Sequence, residues 1–202
     1  MITIAIAEDQ ALVRDAIATL LDLEADIKVI GSFGDGQQMR EWLASDSPLP
    51  DIILSDIEMP RMSGIALAEY CLNEGISSKF VIMTTFAKPG YIQRAMSLGV
   101  KGFTLKEASS DDLVENIKKV YSGLKVINPE LALSALGEQD PLSEKERKAL
   151  AFAGDGLKTK EISEKLFLSE GTVRNYLSEA ISKLNATNRV DAARIAKHKG
   201  WL

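Results

Sequence analysis

The stretch DIILSDIEMP, residues 51–60, decides how this chain is read. Ile52 to Ser55 run as a short buried strand that stops on Asp56, and Met59-Pro60 follows shortly after. A carboxylate ending a buried strand is costly unless it is solvated, hydrogen-bonded or facing a cation. The pattern around it repeats. Candidate strands cover 3–7, 28–33, 51–56, 79–85 and 102–106, and helical periods fill 10–22, 36–44, 64–73, 90–98 and 110–122. Strands alternating with helices imply right-handed βαβ units and a parallel sheet covered on both faces. Strands that are mostly apolar, rather than alternating, agree with burial on both sides. The expectation is an α/β, flavodoxin-like, five-stranded doubly wound domain over residues 1–121.

Beyond Ser122-Gly123 the period breaks, and residues 122–140 read as a linker with a short helix near 129–136. From 141 to 202 the pattern is helical throughout, predicting a small all-α domain of four helices. Ser143 and Glu146 form a capping box, Gly154 and Gly156 end the first helix, and Ser169 caps a longer one. The segment 158–184 reads as helix, turn, helix. Ile162 and Leu166 face Val173, Leu177, Ile181 and Leu184, leaving Thr172, Arg174, Asn175, Ser178 and Lys183 outward. Arginine and asparagine suit base edges, and a helix N-terminus with hydroxyls suits phosphate. A solvated polar face on a plain helical mini-domain is the other reading of the same spacing.

Charge is divided in the same way. The chain carries −5 overall, but residues 140–202 hold twelve Lys/Arg against nine Asp/Glu, and the first 139 hold twelve against twenty. An acidic domain is thus joined to one that tolerates a polyanion. The start, MITIAIA, has no basic segment leading an apolar one, and no apolar run reaches the ~20 residues of a membrane span. A cytoplasmic protein with no membrane association is expected. One cysteine, Cys71, excludes an internal disulfide framework and sits in a helical apolar pattern as a packing residue. His198, the sole histidine, stands among lysines and argues against histidine-based hydrolases and histidine-rich metal sites.

Ligands of an open parallel sheet bind at the carboxyl ends of its strands. This chain places Glu8-Asp9 there after the first strand, Asp56 after the third, Thr84-Thr85 after the fourth and Lys106 after the fifth. Each alone could be a helix cap or loop residue. Together, three acids would repel one another without a cation, and Mg²⁺ takes carboxylate and carbonyl oxygens. With an ammonium and a hydroxyl added, the set suits a phosphoryl group, and a carboxylate can itself be the nucleophile.

IAEDQ, DIEMPRMSG, MTTF and KGFTLKE, in this order, resemble the receiver domain of two-component response regulators over residues 1–121. The resemblance implies that Asp56 accepts phosphate from a sensor histidine kinase, the only chemistry the chain would catalyse. It also implies that Asp9 and Asp56 ligate Mg²⁺ with the backbone carbonyl of Glu58, that Glu8 acts through water, that Lys106 binds phosphate, and that Thr84 and Phe103 form a switch pair. Glu107 stands where many receivers have proline, and Thr85 where alanine or glycine is common. Residues 141–202 resemble the LuxR-type helix-turn-helix domain of the NarL/FixJ subfamily, with Tyr176 where relatives commonly have histidine, beside Thr172, Arg174, Asn175, Ser178 and Lys183. This implies promoter DNA and RNA polymerase as partners and a homodimer formed through the first and fifth helices on phosphorylation. TTFAKPGY and KHKGWL are similar to the subgroup that switches on a membrane fatty-acid desaturase in Gram-positive bacteria. An aspartyl-phosphate phosphatase would instead need D-x-D after the first strand, and a receiver that no longer needs phosphate would not keep every position filled.

Overall fold

The computed structural model describes residues 1–85, 88–136 and 139–202. Phe86 and Ala87, in the MTTF and TTFAKPGY stretches, and Gly137 and Glu138, in the expected linker, lie outside the described residues. The chain divides into two compact units: the first reaches Ala135 but leaves out Lys88–Gly90, which fall with Leu136–Leu202 in the second.

In the first unit, β1 (Ile2–Ala7), β2 (Ile27–Phe33), β3 (Ile52–Asp56), β4 (Lys79–Thr84) and β5 (Gly102–Leu105) alternate with α1 (Ala11–Asp22), α2 (Gly36–Leu43), α3 (Gly64–Asn73), α4 (Pro89–Ser97) and α5 (Ser110–Tyr121). All strand pairings are parallel, in the order 2-1-3-4-5. The two-residue period of a strand sends side chains to two cores. Ile4, Ile6, Ile52, Leu54, Val81 and Met83 pack with Leu21 of α1 and Leu113, Ile117 and Val120 of α5. Ala5, Ala7, Ile53, Phe80, Ile82 and Phe103 join Met39, Leu67, Cys71 and Ile92 on the other face. Burial pushes the Cys71 thiol up to about 12, so it is an inert packing group as expected.

Residues 122–140 hold more structure than a linker. After β5 the chain adds a sixth parallel strand, β6 (Val126–Ile127), and a short helix, α6 (Pro129–Ala135). Asn128 N–H donates to the Phe103 carbonyl at 3.1 Å, Gln93 Nε2 to the Ala135 carbonyl at 3.0 Å, and Leu131 is buried in the core that contains Phe103. α6 is the short helix expected near 129–136, whereas a two-residue strand leaves no period long enough to recognise in the sequence.

The second unit holds α7 (Glu144–Gly154), α8 (Thr159–Leu166), α9 (Glu170–Lys183) and α10 (Arg189–Lys199) around a core of Ile162, Val173, Leu177, Ala180, Leu184 and Trp201. The capping box forms as expected: Glu146 N–H donates to Ser143 Oγ, and Ser143 N–H to Glu146 Oε2. Ser169 Oγ accepts from Thr172 N–H and caps α9. Among the described residues no helix is long and apolar enough to cross a membrane.

One glycine is fixed by the site this fold builds. A Cβ on Gly64 would lie 2.0 Å from the Asp56 carbonyl oxygen, closer than any real contact. Gly64→Ala should therefore displace the loop after β3 and cost about 2 kcal/mol or more, read as a lower midpoint in urea denaturation of the full chain. An unchanged midpoint would mean that the loop is free to give way.

Candidate functional site

The strand order reverses direction between β1 and β3, which is where a doubly wound sheet opens its ligand crevice. Ala7 stands opposite Ser55 in the register, so the next residues, Glu8 and Asp56, emerge side by side. Glu8, Asp9 and Asp56 each bring a carboxylate oxygen within 4.8 Å of the others. Lys106, just past β5, is aimed back at this group because its N–H donates to the Thr84 carbonyl at 2.9 Å. Its ammonium lies 2.9 Å from Asp56 Oδ2 and 2.7 Å from Glu8 Oε2. The other oxygens are held by backbone: Ile57 N–H donates to Asp56 Oδ1 at 2.7 Å and Gln10 N–H to Glu8 Oε1 at 3.1 Å.

Burial raises the Asp56 carboxyl above its usual range, with Lys106 and the Ile57 N–H opposing. Burial raises Glu8 in the same way, against the pull of Lys106 and Gln10, with Asp56 adding to the rise. Burial by itself would lower Lys106, but the hydrogen bond to Asp56 and the contact with Glu8 more than reverse this. The ammonium is therefore fixed in its charged form between two acids that water solvates poorly. Although it lies 2.7 Å from Lys106, Glu8 Oε2 is buried and meets no donor in hydrogen-bond geometry. A hard divalent cation fits this donor set: three converging carboxylates, one with an unsatisfied oxygen.

Thr84 is buried at the end of β4, and Phe103 is buried in the core, one strand over. The Thr84–Phe103 switch pair implied by the resemblance thus has both members buried in this structure. Thr85 is exposed. The Glu58 side chain is also exposed, and accepts from Tyr91 Oη at 3.3 Å.

On α9, Arg174, Asn175 and Ser178 are exposed and Thr172 half-exposed, as the helical period predicts. Arg174 is held only loosely within its own helix: Nε donates to the Glu170 carbonyl at 3.4 Å, and Nη2 lies 3.9 Å from the Glu170 carboxylate. Tyr176 is half-buried against the second unit's core. Lys183 is exposed as expected, but it is already paired: its ammonium is 2.8 Å from both carboxylate oxygens of the buried Glu146 on α7. A helical wheel places Lys183 on the polar side but cannot show a partner 37 residues away.

Burial of Glu146 disfavours its charge, yet Lys183 and the Ser143 N–H overcome this and hold its carboxyl down to about 2. A group depressed in the folded state stabilises fully above its unfolded value and loses that stabilisation as the pH falls. Second-unit stability should thus decline between about pH 4.5 and 2, by on the order of 2 kcal/mol. Trp201 fluorescence in a Trp42→Phe background reads this through urea midpoints. In Glu146→Gln that part of the acid dependence should vanish; its persistence would assign it to other groups.

With this geometry in view, the chain can be set beside known proteins. Residues 4–118 match the response regulator receiver domain, and residues 140–196 match the bacterial regulatory proteins of the luxR family. The uncharacterized transcriptional regulatory protein YvfU of Bacillus subtilis is 45% identical over the whole of both chains. The transcriptional regulatory protein DesR of the same organism is 41% identical, covering 100% of this chain and 99% of DesR. Among solved structures, the response regulator ChrA of a heme-sensing two-component system superimposes with a TM-score of 0.57 at 28% identity, over 100% of this chain and 98% of that one.

Proposed function

Because the chain belongs to the response regulators that join a receiver domain to a luxR-type DNA-binding domain, we propose that Asp56 accepts a phosphoryl group from a sensor histidine kinase and thereby controls binding to promoter DNA. The observation that carries this reading is the Lys106 ammonium seated against Asp56 and Glu8 at the switch point of the sheet.

Asp56 is the nucleophile. One of its oxygens attacks phosphorus in line, the bond to the donor (histidine nitrogen, or the acetate oxygen of acetyl phosphate) breaks, and an acyl phosphate remains. Lys106 then pairs with a phosphoryl oxygen instead of the carboxylate, and the Thr84 hydroxyl offers a further donor. Asp9 and Asp56 with the Glu58 backbone carbonyl would hold Mg²⁺, Glu8 acting through water. The ion would supply positive charge to neutralise the phosphoryl oxygens. Thr85, exposed where many receivers carry alanine or glycine, is read as restricting the access of water to the acyl phosphate and so lengthening its lifetime.

The output rests on α9. Arg174, Asn175, Ser178 and Thr172 are available to a DNA major groove, while Tyr176 supports them from the core side. The second unit's surplus of basic groups agrees with a phosphate backbone as partner. A module this small buries little DNA surface, so two copies would pair on adjacent half-sites. A second copy would dock on α1 and α5, where Leu12 and Leu23 are largely exposed beside Leu20 and Val114. RNA polymerase at the promoter and a cytoplasmic location complete the reading.

Acetyl phosphate with Mg²⁺ should label the full chain, and Asp56→Asn should not be labelled. Undiminished labelling of Asp56→Asn would remove Asp56 as acceptor. At the other end, Arg174→Ala should cost about 1–3 kcal/mol on a specific site if it reads a base. Gel shifts on genomic fragments, with and without acetyl phosphate, measure this. Equal loss on all DNA, with a shallower salt slope, would make Arg174 a phosphate contact, and no loss would exclude it from the interface.

A further inference from the structure

The loop between Asp56 and Gly64 is bolted down on its far side by a pair that the phosphoryl reading leaves unexplained. Asp35 caps α2, accepting from Gln38 N–H at 2.9 Å on Oδ1. Its other oxygen, Oδ2, accepts from Arg61 Nε at 2.8 Å and also from Arg61 Nη2. Asp35 is 3% exposed, so its charge depends on these partners. Burial works against that charge, but the Gln38 N–H and Arg61 keep the carboxyl below its usual range.

Arg61 also adopts φ +61°, a left-handed conformation that suits glycine and disfavours a side chain. The loop thus accepts backbone strain in order to have a guanidinium at this position. Beside the pair, Gly36 N–H donates to the Met62 carbonyl at 3.2 Å, and a Cβ on Gly36 would lie 2.6 Å from that oxygen. The loop closes on itself through Gly64 N–H and the Ile57 carbonyl at 2.9 Å. Glu58, three residues before Arg61, lies inside this closed segment. If Arg61 were only a surface partner for Asp35, glycine would serve the turn better.

We propose that Asp35 and Arg61 are positioning residues for the acid pocket: they clamp the loop of residues 57–63 so that its backbone can join Glu8, Asp9 and Asp56 in binding a hard divalent cation. The proposal rests on reading that pocket as a Mg²⁺-assisted phosphoryl site. The pair touches neither the cation nor the phosphoryl group. It acts through the loop's backbone, as outer partners of metal ligands commonly do.

Calorimetric titration of the full chain with Mg²⁺ tests it, with Arg61→Gly, Asp35→Asn and the double variant. Arg61→Gly relieves the left-handed strain and so offsets part of the lost ion pair; it should stay folded, with a melting temperature near the parent's, yet bind Mg²⁺ about tenfold more weakly. Asp35→Asn keeps an oxygen for Gln38 N–H and should show a similar loss. The double variant should be no worse than the weaker single, because both remove one interaction. Labelling by acetyl phosphate should need more Mg²⁺ in these variants and recover the parent's rate when Mg²⁺ saturates. Parent-like affinity in a folded Arg61→Gly, or losses that add in the double variant, would overturn the clamp, and a parent that binds no Mg²⁺ would overturn it together with the metal assignment. A parent that binds Mg²⁺, loses affinity on Arg61→Gly and is never labelled would leave the clamp standing and sink the phosphoryl reading alone.

Discussion

One ammonium holds the chemistry of the first unit together. Lys106 sits within 3 Å of two buried carboxylates, Asp56 and Glu8, which arrive on adjacent strands and would otherwise repel each other. Every part of the sheet serves that meeting. The β1–β3 pairing brings the acids alongside, the Thr84 carbonyl fixes the backbone of Lys106, and the Ile57 N–H fixes the orientation of Asp56. A pocket arranged this way is poised for exchange. In the proposed reaction the phosphoryl oxygens would take over the contacts that Lys106 now makes to carboxylate, and a divalent cation would offset the extra negative charge they bring.

The same exchange offers a route from site to surface. Thr84 and Lys106 lie at the ends of β4 and β5, and β5 is tied by backbone to β6 and so to α6. A shift in β5 would be felt along this segment before the second unit begins. Only a difference in free energy between two receiver states can move the equilibrium. In this structure Phe103 is already buried, so any such difference would come from repacking around an inward ring rather than from its entry.

Much of this was legible in the residues. The five long strands and the helices between them fall within a residue or so of their predicted bounds, because both cores demand apolar side chains on alternate positions of each strand. The acids and lysine at strand ends could be listed from the sequence because fold class dictates where ligands bind. What escaped was long-range or short-lived in sequence. β6 has two residues, too few for any period, whereas the short helix α6 was expected near 129–136. The Asp35–Arg61 pair joins loops 26 residues apart with no local pattern. The pairing of exposed Lys183 with Glu146, a residue legible only as a cap, has no local pattern either. The structure shows that Glu146 serves both roles.

The central claim is that the carboxylate beside Lys106 carries the phosphoryl group. Its most direct test is to trap the acyl phosphate with borohydride after treating the chain with acetyl phosphate and Mg²⁺, then locate the reduced residue by peptide mass spectrometry. A single reduced position, Asp56, is expected. Reduction at Asp9 or Glu8 instead, or a phosphoryl group resistant to borohydride on a hydroxyl such as that of Thr84, would contradict it.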